Sequence, residues 1–407
     1  MTVQGDTTEH PAELLREARA LLPDLIAVRR AVHRHPEVGP HLPHTQEQVL
    51  AALAGLPLTL APGRGLSSLT ATLDGARPGP TILLRADMDA LPLGEETGLE
   101  YASRLPGAMH ACGHDLHTAM LVGACRLLSG RRHELAGRVV FMFQPAEESG
   151  GGAARMIDEG VLDTADGKGV DAAFAMHVTT RFESGTVHLR HGPTYAAADQ
   201  IHITVRGRGG HAAAPHRALD PVPVACAIVG ALQTMVTRSV NVFDPAVVTI
   251  ARIAAGTTTN VIPETAELHG TFRTLTPATR EAVRTGIERT ARHVAAAYGA
   301  EAEVVLTEGY PPLLNDPDFT AAVHRAATAL LGAEAVHDLP DPVMGAEDFS
   351  YVLQRVPGTM AVLGARPAGL PAEGTPDCHS NRVVFDEAAM ATGTALHAAV
   401  ALGHLTG

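Results

Sequence analysis

The chain has 407 residues, enough for two or three domains and a sizeable core. Its formal net charge of −13 argues against a nucleic-acid binder, which presents a basic face, and it offers no polybasic patch to an anionic membrane. Aromatic residues make up only 3% and tryptophan is absent, so Leu, Val and Ala must do the packing.

Apolar residues at helical spacing (Leu14, Leu15, Ala18, Leu21, Leu22, Leu25) predict a first helix over 11–35, ended by Pro36. No basic segment followed by an apolar one opens the chain, so no secretory signal is expected. Residues 66–73 and 81–85 then read as strands, 116–129 as a helix and 137–143 as a buried strand. Residues 153–159 read as a helix and 172–177 as a strand. This alternation predicts an α/β domain with a mixed, mostly parallel sheet flanked by helices.

The pattern changes near Pro193. Residues 200–207 alternate cleanly: Ile201, Ile203 and Val205 face one side, His202, Thr204 and Arg206 the other. An apolar helix follows from Asp220. Its apolar stretch, 222–236, is expected to be too short to span a membrane. Strands at 246–253 and 265–274, a helix over 277–298 and a strand at 302–307 complete a β-α-β-β-α-β order, that of a ferredoxin-like α+β unit. Gly309-Tyr310-Pro311-Pro312 reads as an exit linker, after which the α/β pattern resumes. The expected organisation is a catalytic domain of 1–192 and 312–407 interrupted by an inserted lid or dimerisation domain of 193–311. The four cysteines, Cys112, Cys125, Cys226 and Cys378, show no disulfide-framework spacing, which favours a reducing cytoplasm.

Five polar clusters stand at strand ends or helix starts. Met109-His110-Ala111-Cys112-Gly113-His114-Asp115 brings Cys and His, both good ligands for zinc or manganese, to the mouth of a helix. Glu147-Glu148 follows an apolar strand; one carboxylate could bind metal while the other moves a proton. A helix N-terminus favours glutamate as well, and explains an isolated pair equally. His177 closes a strand, Asp87-Met88-Asp89 follows another, and Cys378-His379-Ser380 lies in a Gly/Pro-rich loop. Either Asp could orient a metal-bound imidazole. Singly, most of these have bland readings; together they supply enough ligands for two ions sharing a bridge. A cysteine hydrolase using Cys112 and His114 would leave the Glu pair and His177 without work, and a non-catalytic metal protein would leave Glu147 without any. The run Gly150-Gly151-Gly152 lacks the Gly-Lys-Ser/Thr ending of a phosphate loop and reads as a turn.

The order of these stretches resembles the aminoacylase, hippurate hydrolase and indole-acetyl-amino-acid hydrolase group of dinuclear metallopeptidases. The resemblance is carried by His33-Arg34-His35-Pro36-Glu37, Arg85-Ala86-Asp87-Met88-Asp89-Ala90-Leu91-Pro92 and the His110–Asp115 cluster. It continues in Phe143-Gln144-Pro145-Ala146-Glu147-Glu148, Gly209-Gly210-His211-Ala212, Asn260-Val261-Ile262-Pro263 and Met344-Gly345-Ala346-Glu347-Asp348-Phe349. It implies Cys112, His114, Glu148, His177 and His379 as ligands of two divalent ions, Zn2+ or Mn2+. It implies Glu147 as general acid/base, with Asp89 also in the catalytic set. His211 would steady the oxyanion, across a dimer interface. Asn260 and Arg273 would meet the substrate carboxylate. The implied activity is hydrolysis of the amide of an N-acyl-amino acid by a homodimer. A dipeptidase or an N-acetyl-diaminopimelate deacetylase is the neighbouring alternative.

Overall fold

A computed structural model describes residues 9–164 and 167–406 of the chain. The opening stretch on which the secretory-signal expectation rests, residues 1–8, lies outside the described residues. The chain divides into two compact units: Met1–Gly192 with Leu314–Pro340 and Tyr351–Gly407, and Pro193–Leu313 with Asp341–Ser350. Residues 341–350 therefore group with the second unit, where the sequence placed them in the first. Backbone pairing is the reason. Val343 N–H donates to Thr194 O at 2.7 Å, and Ala196 N–H donates to the carbonyls of Val343 and Gly345 at 3.0 Å.

The first unit is built on an eight-stranded mixed sheet. Its order is Thr59–Pro62, Leu69–Asp74, Ala136–Gln144, Arg77–Asp87, Ala172–Glu183, Gly358–Arg366, Val187–Leu189, Val336–Asp338. The four middle strands run parallel to one another. Their centres are continuous apolar runs, such as Ile82-Leu83-Leu84 and Val139-Val140-Phe141-Met142-Phe143, all buried. That composition suits strands covered on both faces. Helices Glu9–His33, His114–Gly130, Pro317–Leu331 and Ala389–Leu405 pack together, and the second and fourth lie directly on the sheet. The helix Pro43–Leu53 was not foreseen. It buries only Thr45, Val49 and Leu53, four residues apart, too sparse a stripe to stand out in sequence. The first helix stops at His33 rather than 35, since a residue before proline disfavours helical backbone.

The second unit has an antiparallel sheet in the order Ala246–Ala255, Thr265–Thr274, Ala197–Arg206, Glu301–Thr307. Helices Pro221–Ser239 and Pro277–Ala297 pack against it through one core. This is the β-α-β-β-α-β arrangement expected of a ferredoxin-like unit. Asp220 caps the first helix through its side chain, which accepts from Val222 N–H at 3.0 Å. The helix there is longer than its apolar stretch. Pro221 before it and Thr237, Arg238 and Ser239 after it make a 19-residue helix, long and apolar enough to cross a membrane by length and composition alone. Its buried stripe, Val224, Ala225, Ile228, Leu232 and Met235, belongs to the core it forms with the sheet.

Candidate metal centre

The site grows from the carboxyl ends of the parallel strands, where open α/β sheets place their ligands. Arg77–Asp87 ends in Asp87, and Ala136–Gln144 runs into Glu147 and Glu148. The sequence places His177 at a strand end; instead Ala172–Glu183 continues past it, paired with Gly358–Arg366 as far as Glu183. On the other side, pairing with Arg77–Asp87 stops at Arg85↔Ala175, two residues short of His177. His177 therefore lies beyond the ladder on that side.

Backbone geometry aims the remaining donors. Gly113 adopts left-handed backbone (φ 79°) just before the helix His114–Gly130, and a Cβ there would lie 2.4 Å from Val178 Cγ2. Only glycine both turns the chain and fits. Among the described residues, two non-glycines have positive φ, Ala146 (60°) and His379 (70°). Both are at this site, where strained backbone typically costs on the order of 1–3 kcal/mol and is retained for a purpose.

All five expected ligands come together. Cys112, His114 and His177 form one group whose donor atoms lie within 4.8 Å of one another. Cys112, Glu148 and His379 form a second, so the thiol is common to both. Cys112 Sγ is 3.3 Å from His177 Nε2, and Glu148 Oε1 is 3.3 Å from His379 Nε2. The two interior imidazoles are oriented alike. His114 Nδ1 donates to Asp89 O at 2.9 Å, and His177 Nδ1 donates to Val178 O at 2.7 Å. Each thereby turns Nε2 toward the cluster, the usual way a protein fixes a ligand tautomer. His114 Nε2 is buried with no hydrogen-bond partner. The Cys378 thiol, burial, and the Glu148 and Glu147 carboxylates push the Cys112 thiol well up. An unmatched imidazole nitrogen beside crowded anionic donors fits a divalent cation, whose charge reverses the local pKa balance.

Glu147 is buried and shares a third group with His114 and Glu148. The pair lies in a bend ahead of the helix Gly152–Asp158, not in a helical first turn, so dipole stabilisation does not account for it. Asp89 holds it: Oδ1 accepts from Glu147 N–H and Oδ2 from Glu148 N–H, each at 3.0 Å. Asp87 instead accepts from His117 Nδ1 at 2.6 Å and from Arg85 at 2.6 Å. Burial alone would raise the Asp87 carboxyl, but Arg85, His114 and His117 hold it well below the usual range. Burial lowers His117 to about 4 in spite of Asp87. The ring is accordingly neutral, and its Nε2 accepts from Val178 N–H at 2.9 Å.

Two supports were not read from the sequence. Asp377 clasps the His177 strand just past the imidazole, accepting from Thr179 Oγ1, Thr180 Oγ1 and Thr180 N–H, while His379 N–H donates to Ala111 O at 2.9 Å. Together these hold the His379 loop. Beneath the helix start, buried Asp115 accepts from Arg29 and His33, both at 2.8 Å. Their chain separations, 198 residues for Thr179–Asp377 and 86 for Arg29–Asp115, leave no local signal.

The other expected residues lie in the second unit. His211 is exposed, its Nδ1 accepting from Ala213 N–H at 3.0 Å. Asn260 Oδ1 accepts from Thr258 Oγ1 at 3.1 Å, and Arg273 donates to Thr271 Oγ1.

Residues 83–403 match the family described as Peptidase family M20/M25/M40. The chain is 38% identical over 379 residues to the N-acetylcysteine deacetylase of Bacillus subtilis strain 168, covering 93% of this chain and 96% of that one. It is 35% identical over 409 residues to IAA-amino acid hydrolase ILR1-like 2 of Arabidopsis thaliana, covering 99% and 90%. Among solved structures, the Bacillus subtilis YXEP protein, described as a dinuclear metal binding peptidase from the M20 family, superposes with a TM-score of 0.83 at 35% identity, covering 95% of this chain and 99% of that one. With its fold and most of its length in agreement, the chain belongs to peptidase family M20/M25/M40.

Proposed function

We propose that this chain is a metal-dependent amidohydrolase that cleaves N-acyl-amino acids to a carboxylic acid and a free amino acid, using two divalent ions, Zn2+ or Mn2+. The observation that carries the reading is the pair of donor groups sharing Cys112, with Glu147 beside them. Cys112, His114 and His177 would hold one ion, and Cys112, Glu148 and His379 the other; mixed thiolate, imidazole and carboxylate donors suit either metal. When bound, the ions supply the charge that acidifies a water and polarises the acyl carbonyl. Glu147 takes the proton of that water and returns it to the leaving amine. Asp89 fixes the main chain from which Glu147 projects.

His211 is assigned to the oxyanion. Its Nδ1 accepts a hydrogen bond, so the ring proton sits on Nε2, ready to donate. Asn260 and Arg273 are assigned to the substrate carboxylate. Relatives named for deacetylating N-acetylcysteine and hydrolysing IAA-amino acids support an acyl-amino acid as substrate. The cytoplasm is the proposed compartment, in keeping with four free cysteines. A homodimer is proposed through the second unit, whose edge strand Ala246–Ala255 is preceded by exposed Val242 and Phe243.

A screen after reconstitution with each metal tests the reading. N-acetyl-, N-benzoyl- and longer N-acyl-amino acids should be hydrolysed, and chelator should abolish turnover. Hydrolysis confined to unblocked dipeptides would replace this assignment with a dipeptidase, the reading that a neighbour described as a peptidase favours.

A further inference from the structure

The sheet of the second unit buries Ile201, Ile203, Val205, Ala266 and Leu268 in the core it shares with the two helices. The alternate residues point to its other face. There His202, in the middle of Ala197–Arg206, stands directly across from His269 on Thr265–Thr274. Glu267, two residues before His269, shares that face. The two imidazoles stack, with ring centroids 4.4 Å apart and planes 17° from parallel. Glu267 Oε2 lies 3.2 Å from His269 Nε2. One donor atom from each of the three lies within 4.8 Å of the others. His202 Nε2 is buried and makes no hydrogen bond, an unmet polar atom on an otherwise paired strand.

By register, Val305 stands opposite His202, Thr204 opposite Glu267, and Arg252 opposite His269. Arg252 is exposed to solvent, where its charge is screened. Glu303, on the strand beyond, is engaged with Arg206 at 2.6 Å.

We propose that His202, His269 and Glu267 form a divalent-metal site of the zinc class. It is made wholly from the second unit and uses none of the amidohydrolase ligands. Two imidazole nitrogens and one carboxylate oxygen are a three-donor set that zinc completes with water. The bound ion joins two adjacent strands and satisfies His202 Nε2. It is a strand clamp rather than a reaction centre.

The test is metal content. Full-length protein is loaded with Zn2+, dialysed against metal-free buffer and assayed by mass spectrometry. Wild type should retain one ion per chain more than the His202→Ala/His269→Ala variant, and Glu267→Gln should bind that ion at least tenfold more weakly. A Cys112→Ala/His114→Ala/Glu148→Gln/His177→Ala/His379→Ala background, which removes all five proposed ligands in the first unit, isolates the new site. The ion retained there should disappear when His202→Ala is added. If the alanine pair fails to fold by circular dichroism, His202→Asn/His269→Asn carries the same comparison. Equal zinc content in wild type and a folded His202/His269 variant overturns the proposal, whatever happens to turnover.

Discussion

Asp89 uses three oxygens in the first unit. Its carboxylate takes the amides of Glu147 and Glu148, and its carbonyl takes the His114 ring proton. One residue thereby fixes the proton-transfer carboxylate, one ligand carboxylate and one ligand imidazole. Asp89→Ala leaves two buried or part-buried amides without acceptors and should lower kcat/KM about 10–100-fold, the usual cost of losing a support behind a ligand. Wild-type kcat/KM in a folded Asp89→Ala protein would contradict this. Glu147→Gln keeps the shape and removes the base. It should retain both ions by metal analysis yet lose about 10²–10⁴ in kcat. A variant that turns over normally would take Glu147 out of the role. At this scale the sequence was informative wherever chemistry stands in short clusters, as in Cys112-Gly113-His114 and Glu147-Glu148. It was silent on Asp377 and Arg29, whose roles exist only through contacts made across the fold.

Elements with strong periodicity were legible, and the helix Pro43–Leu53, with its narrow inner face, was not. His177 shows a second limit. An apolar run does not reveal that one neighbouring strand stops pairing before the other, and that difference leaves His177 beyond the ladder on one side. The last helix, Ala389–Leu405, is buried around nearly its whole circumference and carries His397 in its middle. The ring packs edge-on against Phe174 at 5.3 Å, and its Nδ1 has no hydrogen-bond partner. Burial, with His117 adding to it, lowers His397 to about 3. Between roughly pH 6.5 and pH 3 the unfolded chain binds a proton here that the native chain refuses. Acidification therefore favours unfolding, and stability falls as pH drops through that window. His397→Phe removes one such proton and should make the fall shallower by up to about 1.4 kcal/mol per pH unit. Urea denaturation of metal-stripped protein at pH 7 and pH 5 measures it. Parallel losses in wild type and variant would show that His397 titrates alike in both states.

At the scale of the whole chain, every candidate ligand of the amidohydrolase centre belongs to the first unit, and His211, Asn260 and Arg273 belong to the second. This division was legible because two hydrophobic patterns differ: continuous apolar runs for doubly covered parallel strands, clean alternation for a sheet covered on one face. The return of residues 341–350 to the second unit was not, since it depends on backbone pairing with Thr194 and Ala196. The first unit is closed where the second departs from it. Asn315 Nδ2 donates to Arg190 O at 2.9 Å and to Met360 O at 3.0 Å, so chain exit and re-entry are held side by side within that unit. Replacing residues 193–313 by a short Gly/Ser linker should therefore leave a protein that folds, with 341–350 as a loop, because the core of the first unit is a separate cluster. It should still bind two divalent ions at the Cys112 cluster, since none of the amidohydrolase ligands is removed, while the proposed His202/Glu267/His269 site goes with the second unit. It should lose hydrolysis of N-acyl-amino acids by several orders of magnitude, because the assigned oxyanion donor and carboxylate contacts are gone. Isothermal titration with Zn2+ and a turnover assay on the excised protein separate the two halves of the claim. Normal turnover would show that the first unit is a complete enzyme and that His211 has no part in the reaction. A folded protein that binds no metal would show instead that the donor cluster depends on the second unit.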